Sequence, residues 1–101
     1  MNARTSGFDW DRANREKCRK HGVSMAEIEA LFEGAPAVRE DPAHSGTEAR
    51  RLAIGRNAAG RWMFVAFTYR ERGDATYIRP ISARYMHAKE VRRYEKEDPE
   101  F

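Results

Sequence analysis

The sequence predicts an α+β fold in which two N-terminal helices and one C-terminal helix flank a small antiparallel sheet, in the order β-α-α-β-β-β-β-α. Two features predict the helices: a capping signal at Ser24 ahead of an apolar face, and an amphipathic segment over residues 86–97. A third feature predicts the sheet, because residues 37–84 alternate between apolar stretches and turn-forming residues.

The length and composition indicate one globular domain. The 101 residues are 41% apolar and 11% aromatic, which is enough for a small core and too aromatic for a disordered tail. We expect one domain over residues 1–101, with frayed ends at 1–6 and 98–101. No apolar run approaches the roughly 20 residues of a membrane span, and residues 1–7 do not resemble a signal peptide. The only cysteine, Cys18, excludes an intrachain disulfide and favours the reducing cytoplasm.

The first elements have local start and stop signals. Residues 8–10 predict a short strand, after which Asp9 or Asp11 can cap a helix that runs to about Lys20. Gly22 is predicted to end it, because glycine adopts the left-handed conformation of a C-terminal cap without strain.

The second helix has a complete N-terminal signal. Ser24 and Glu27 match the capping-box pattern S-x-x-E, and Val23 with Ile28 matches the hydrophobic staple around it. Residues 34–36, Gly-Ala-Pro, are predicted to end the helix. One face of it is predicted to enter the core, and the residues on that face are Met25, Ile28, Leu31 and Phe32.

Four strands and a last helix follow. The strands are predicted over residues 37–40, 49–56, 61–69 and 75–84, with turns at 57–60 and 70–74. The segment 61–69 is apolar on both faces, which predicts a central strand. Pro80 cannot donate a ladder hydrogen bond, so we expect it at an edge or a bulge. The last helix covers residues 86–97, and its inward-facing residues are predicted to be His87, Val91 and Tyr94.

Several kinds of site are not predicted. The sequence has no C-x-x-C pair, and its three histidines, His21, His44 and His87, lie in separate elements. Cys18 and His21 are three residues apart, but two ligands do not make a metal site. Phosphate-binding glycine loops and a G-x-S-x-G nucleophile motif are also absent.

The basic residues are mostly arginines, 15 of 19, and residues 51–101 hold 11 basic against 7 acidic residues. A guanidinium binds phosphate or carboxylate through two parallel hydrogen bonds, which favours an anionic partner such as nucleic acid or an acidic protein surface. For each arginine in a predicted strand, the alternative to binding an anionic partner is a salt bridge to Asp or Glu within the chain. The strand arginines are Arg51, Arg56, Arg79 and Arg84.

A histidine and a lysine stand together at a predicted helix end. The imidazole of His21, beside Lys20, can take or give a proton near neutral pH. Helix capping is its alternative role.

The order and spacing of several stretches resemble one protein family. These stretches are Phe8-Asp9-Trp10-Asp11, Lys20-His21-Gly22-Val23, Ile54-Gly55-Arg56, Ile78-Arg79-Pro80-Ile81-Ser82-Ala83-Arg84-Tyr85-Met86-His87, Glu90 and Tyr94. From about residue 7 to 96 the chain resembles the BrnT family, bacterial toxins of type II toxin–antitoxin modules.

The resemblance implies a fold like that of the RelE ribonuclease toxins and an activity that inhibits translation by cleaving RNA. It also implies a partner, a BrnA-like antitoxin that neutralises the toxin and joins it in a heterotetramer. The antitoxin carries the DNA-binding domain, so the toxin is expected to meet DNA only indirectly. No cofactor is expected.

Site roles follow from the resemblance and the residues together. For metal-independent RNA cleavage, we predict His21 as the acid or base and Arg79 and Arg84 as the phosphate clamp. Further RNA contacts are predicted at Lys20, Arg51, Arg56 and Tyr94, with packing as the alternative for Tyr94. The alternative function is a non-catalytic module whose arginine-rich face docks an antitoxin. DNA binding by the chain itself is not favoured, because no recognition helix follows a turn.

Overall fold

The computed structural model describes residues 5–44, 46 and 48–97, which form three helices and one five-stranded sheet. The helices are α1 at Arg12–Arg19, α2 at Met25–Glu33 and α3 at Ala88–Glu97. The strands are β1 at Gly7–Phe8, β2 at Ala37–Glu40, β3 at Arg51–Arg56, β4 at Trp62–Arg72 and β5 at Ala75–Tyr85. A single 3-10 turn, Pro42–His44, interrupts the loop after β2. The predicted α+β class and element order are confirmed.

The sheet has the strand order β1-β5-β4-β3-β2, with β4 at its centre as the two apolar faces of that strand predicted. The pairs β2–β3, β3–β4 and β4–β5 are antiparallel, whereas β1 pairs with β5 in parallel. The sheet is therefore mixed. Parallel pairing is possible here because a long stretch of chain separates β1 from β5, whereas a tight hairpin joins only antiparallel neighbours.

The two N-terminal helices begin as their capping residues predict. Asp11 is the cap of α1, and its carboxylate accepts the backbone N–H of Asn14 at 3.0 Å. In return, the side-chain oxygen of Asn14 accepts the backbone N–H of Asp11 at 2.7 Å. Ser24 and Glu27 form the predicted capping box of α2 at 3.1 and 3.0 Å. Because these bonds satisfy N–H groups that the first turn leaves open, the helix starts are set locally.

Two apolar clusters lie on opposite faces of the sheet. The larger one packs α1 and α2 against the sheet, and its buried residues include Cys18, Ile28, Phe32, Val65 and Phe67. Of the predicted core face of α2, Ile28, Leu31 and Phe32 are buried and Met25 is half-buried. The smaller cluster lies under α3 and consists of Ile54, Met86 and Tyr94 with half-buried neighbours that include Trp62 and Phe64.

The β4–β5 hairpin is longer than the sequence predicted. Glu71 pairs with Thr76 and Arg72 with Ala75, so the turn shrinks to Gly73 and Asp74. Charged residues at the solvent-exposed end of a hairpin can still pair through their backbones, which polarity patterns do not show. Gly73 has a φ of 62°, in the left-handed region that favours glycine in such turns.

Pro80 lies at a bulge, one of the two positions predicted for it. Ala66 is opposite Ser82 and Phe67 is opposite Pro80, which leaves Ile81 as the extra residue. The side-chain amide of Asn14 donates to the Pro80 carbonyl at 2.8 Å and so ties α1 to this irregular point of β5.

The prediction for the inward face of the last helix is partly wrong. Tyr94 is buried and Val91 half-buried, as predicted, but His87 is exposed and precedes the helix. Its N–H donates to Glu90 at 2.9 Å, a contact at the helix start that keeps His87 outside the core.

The predicted frayed ends lie mostly outside the described residues, which exclude 1–4 and 98–101. Thr5 is buried, and the N–H of Ser6 donates to the Thr76 carbonyl at 2.7 Å.

Candidate active site

One face of the sheet is only partly covered. Ala53, Val65 and Ala83 belong to the cluster under α1 and α2. Their strand neighbours Leu52, Ala66 and Ser82 therefore point to the opposite face, where α3 covers one end. The remainder of that face borders a cavity of about 330 Å³. Its lining includes His21, Asp41, Arg50, Phe64, Ser82 and Arg84.

Arg84 is held in a defined orientation at this cavity. Its two terminal nitrogens donate to the two carboxylate oxygens of Glu90, each at 2.8 Å, and its guanidinium lies 4.7 Å from the centre of the Phe64 ring. The hydrogen bonds to Glu90 raise the pKa of Arg84 above its usual value, so the side chain is a permanent cation. Its side chain is 41% exposed, so this cation remains accessible to an external anion.

His21 reaches the same cavity from the end of α1. The helix ends at Arg19, and Gly22 takes a φ of 87° while its N–H donates to the Arg19 carbonyl at 2.9 Å. This tight corner, predicted from Gly22, leaves His21 exposed at the turn. Two of the three residues predicted to be catalytic, His21 and Arg84, thus line one cavity.

Arg79 has a different environment. Its guanidinium pairs with Asp11 at 2.9 Å and with Asp9 at 3.7 Å, and its side chain is only 18% exposed. Asp9 also pairs with Arg72 at 3.0 Å and with Arg70 at 4.0 Å. The salt-bridge alternative describes the contacts of Arg79 as it does those of Arg84 with Glu90, but Arg79 does not line the cavity of His21 and Arg84.

The carboxylate of Asp11 is an ionised partner of Arg79. A hydrogen bond from the Asn14 backbone, followed by one from Arg79, lowers the pKa of Asp11 below its usual value. Because Asp11 also caps α1, Arg79 connects the start of that helix to β5.

The arginines predicted to contact RNA from β3 lie over aromatic rings. Arg51 is 5.1 Å from the centre of the Tyr69 ring and 3.6 Å from Glu40. Arg56 is 4.5 Å from the centre of the Trp62 ring, and its Nη2 is 3.7 Å from Glu95.

Arg56 and Trp62 line a second cavity of about 340 Å³ together with Ala37, Ile54 and Gly55. Arg56 is thus brought near a concavity, but not the one that His21 and Arg84 share.

The remaining predicted RNA contacts, Lys20 and Tyr94, differ from each other. Lys20 is exposed at the end of α1, directly before His21. Tyr94 is buried and packs edge-on against Trp62 at a centroid distance of 5.2 Å, the packing arrangement given as its alternative.

A comparison with protein-family models identifies the chain. The model for a ribonuclease toxin, BrnT, of type II toxin–antitoxin systems matches residues 10–90, which is most of the sequence. The chain belongs to the BrnT family. No curated protein matches it significantly. Membership in a type II toxin–antitoxin family implies an antitoxin as the partner of this BrnT chain.

Sequence reasoning gave no site role to three residues at or beside the BrnT cavity: Asp41, Arg50 and Glu90. Asp41 and Arg50 meet across the loop after β2, where the N–H of Asp41 donates to the Arg50 carbonyl at 2.9 Å. Glu90 reaches Arg84 from the first turn of α3. These contacts depend on loop closure and on helix docking, and no local sequence pattern indicates either.

The described residues of the BrnT chain contain neither a metal-binding group nor a membrane-spanning helix. Among the described residues, no group of three or more His, Cys, Asp and Glu side chains is arranged to hold a metal ion. In the same part of the chain, every helix is too short or too polar to cross a membrane.

Proposed function

We propose that this BrnT-family chain cleaves RNA without a metal ion at the cavity that His21 and Arg84 share. The proposal rests on the observation that His21, which can transfer a proton, and Arg84, an oriented cation, line the same cavity on the open face of the sheet. Neither residue is near the other in sequence, so their meeting is a property of the fold.

The chemistry of RNA cleavage needs these two kinds of group. A base takes the proton of the 2′-hydroxyl, which attacks the phosphorus, and an acid protonates the departing 5′-oxygen. Cations stabilise the negative charge that grows on the phosphate oxygens. We assign proton transfer to His21 and phosphate stabilisation to Arg84, whose planar guanidinium can bind two phosphate oxygens at once.

Other predicted residues take supporting roles in this proposal. Lys20, next to His21, and the partly exposed Arg56 guide the RNA backbone, and Arg51 extends the basic surface along β3. The packing of Tyr94 against Trp62 favours a structural role for that residue. The catalytic role predicted for Arg79 stays a prediction, and its two ion pairs favour a structural role instead.

Cleavage of total RNA by the purified chain in the presence of EDTA tests the proposal. We expect His21→Ala and Arg84→Ala each to lower the rate by about 100–1000-fold, the usual loss on removing a charge-stabilising or proton-transfer group. Arg84→Lys should also be impaired, because it keeps the charge and loses the two-pronged hydrogen bonding.

Matched controls are available for both residues. His87 is an exposed histidine outside the cavity lining, and Arg12 is an exposed arginine paired with Glu16 at 3.2 Å on α1. His87→Ala and Arg12→Ala should cleave at the parental rate.

If the parent protein does not cleave RNA in EDTA, metal independence is overturned. If His21→Ala and Arg84→Ala fold and cleave at the parental rate, the proposed site is overturned. Absence of cleavage with and without divalent metal, while an antitoxin still binds, supports the docking-module alternative.

We also propose that a BrnA-like antitoxin neutralises the chain and forms a heterotetramer with it in the cytoplasm. The antitoxin partner that family membership implies supports this complex, and the single cysteine, Cys18, is free and buried, which is compatible with a reducing compartment. Co-expression with the adjacent reading frame should give a stable complex, and light scattering should give the mass of two copies of each chain. A one-to-one mass contradicts the heterotetramer, and separate elution contradicts the partner.

A further inference from the structure

The proposed phosphate site of Arg84 already holds an anion, the carboxylate of Glu90. Both terminal nitrogens of Arg84 donate to it, Nη1 to Oε1 and Nη2 to Oε2, at 2.8 Å each. This parallel pair of hydrogen bonds is the arrangement in which a guanidinium binds two oxygens of a phosphate. A phosphate group and Glu90 therefore compete for the same two donors.

Glu90 is fixed at this position from two sides. It lies in the first turn of α3, and its Oε1 also accepts the N–H of His87 at 2.9 Å. The hydrogen bond from Arg84, followed by that from His87, lowers the pKa of Glu90 to about 2. Glu90 is thus an ionised competitor throughout the physiological pH range.

We propose that Glu90 is a positioning residue that occupies the anion site of Arg84 in the free chain and is displaced by an RNA phosphate. This inference rests on the proposed function, because it concerns the same guanidinium. Before RNA binds, Glu90 holds the guanidinium against Phe64 in a two-pronged orientation and lowers its affinity for external anions. When RNA binds, the phosphate takes over both nitrogens and the Glu90 side chain turns into solvent.

The surroundings permit this exchange without unfolding α3. The side chains of Arg84 and Glu90 are 41% and 33% exposed, so an external anion reaches the pair, and partly exposed ion pairs are weak. The helix is held independently by Tyr94 and Val91, which pack in the cluster with Met86 and Trp62. After Glu90 leaves, Phe64 remains under the guanidinium at 4.7 Å and Nη1 still donates to the Tyr85 carbonyl at 3.3 Å, so Arg84 keeps two of its three supports.

Binding of a non-cleavable RNA tests the proposal. The probe is a fluorescent 2′-O-methyl oligonucleotide, which lacks the attacking hydroxyl, and its dissociation constant is measured by anisotropy. Glu90→Gln removes the charge but keeps an acceptor for the His87 N–H, and we expect it to bind about fivefold more tightly than the parent. The matched control is Glu97→Gln, which removes the same charge from an exposed pair of α3, that of Glu97 with Arg93 at 3.1 Å.

The control separates local competition from overall charge. Tighter binding by Glu90→Gln than by Glu97→Gln supports displacement of Glu90. Equal binding by the two variants, or weaker binding by Glu90→Gln, overturns it. With a cleavable RNA, displacement of Glu90 predicts a lower KM for Glu90→Gln. A purely structural role predicts a lower kcat together with lower thermal stability.

An Arg84→Ala variant distinguishes failure of this inference from failure of the proposed function. If Arg84→Ala weakens binding of the probe while Glu90→Gln behaves like Glu97→Gln, only the role of Glu90 is overturned. If Arg84→Ala binds the probe as tightly as the parent, the phosphate site itself is overturned, and the role of Glu90 with it.

Discussion

At the scale of single residues, two arginines of one strand have different environments although the sequence predicted one role for both. Arg84 is paired with one partly exposed carboxylate at the edge of a cavity, and Arg79 is paired with Asp11 and with Asp9, whose side chain is 10% exposed. Five residues along a strand amount to roughly 16 Å, and only Arg84 lines the cavity of His21. Their contacts differ accordingly: Arg84 lies at the cavity where we propose anion binding, and Arg79 connects the N-terminal segment to β5.

Substitution of Arg79 tests this division. We expect Arg79→Ala to lower the free energy of unfolding by about 1–3 kcal/mol, because it removes a charged hydrogen bond from Asp11 and one partner from the half-buried Asp9. Arg79→Lys should lose less, since it keeps the charge. Urea unfolding and RNA cleavage are measured on the same preparations, with Arg84→Ala for comparison. An Arg79→Ala protein with parental stability and a large loss of cleavage would place Arg79 in the catalytic site.

At the scale of elements, the capping box of α2 has a second function that only the fold shows. Glu27 completes the box with Ser24 and also accepts hydrogen bonds from the Tyr85 hydroxyl at 2.6 Å and the Asn57 amide at 2.9 Å. One carboxylate thereby connects the start of α2 to the β3–β4 turn and to the end of β5. The sequence predicted the box because its pattern is local, but the other two partners lie 30 and 58 residues away.

The stability of the chain should therefore depend on the charge of Glu27. Partial burial acts to raise its pKa, but the hydrogen bonds from Tyr85, Asn57 and Ser24 outweigh burial and lower the pKa from 4.5 to about 2. The pKa of Glu90 is lowered over the same range. Because the unfolded chain binds these protons at higher pH than the folded chain, their stabilisation is present above about pH 4.5 and lost as pH falls to about 2.

Thermal unfolding between pH 7 and pH 2.5 measures this dependence. Glu27→Gln should be less stable than the parent at pH 7, by about 1–2 kcal/mol, and should lose less stability as the pH falls. Glu16 is an exposed carboxylate paired with Arg12 on α1, so Glu16→Gln should keep the parental decline. A Glu27→Gln protein that declines as steeply as the parent would contradict the role assigned to Glu27.

At the scale of the whole molecule, the candidate site exists because the three helices cover the sheet unequally. The helices α1 and α2 pack on one face, and α3 covers only one end of the other, which leaves the cavity of His21 and Arg84 open. Sequence patterns predicted all three helices and, with the exception of His87, the apolar sides of α2 and α3, but not which face of the sheet each helix would cover. The face depends on how distant segments pack together, and a local pattern carries no information about that.

The sequence by itself determined the features that neighbouring residues control. Ser24 starts one helix and Gly22 ends another, and the order of elements follows from the spacing of apolar and turn-forming residues. For the first cap and for Pro80 the sequence left two possibilities each, of which the structure has Asp11 and a bulge. The physical reason is that capping, backbone conformation and side-chain periodicity act over a few residues.

Only the tertiary structure decided which charges meet. Folding paired Arg84 with Glu90 and Arg79 with Asp11, set β1 parallel to β5, and placed His21 and Arg84 on one cavity. A guanidinium binds phosphate and carboxylate equally well in geometric terms, so its residue type does not specify its partner. The partner is the anion that packing brings within reach. For Arg84 that anion is the carboxylate of Glu90, which we infer is displaced by an RNA phosphate.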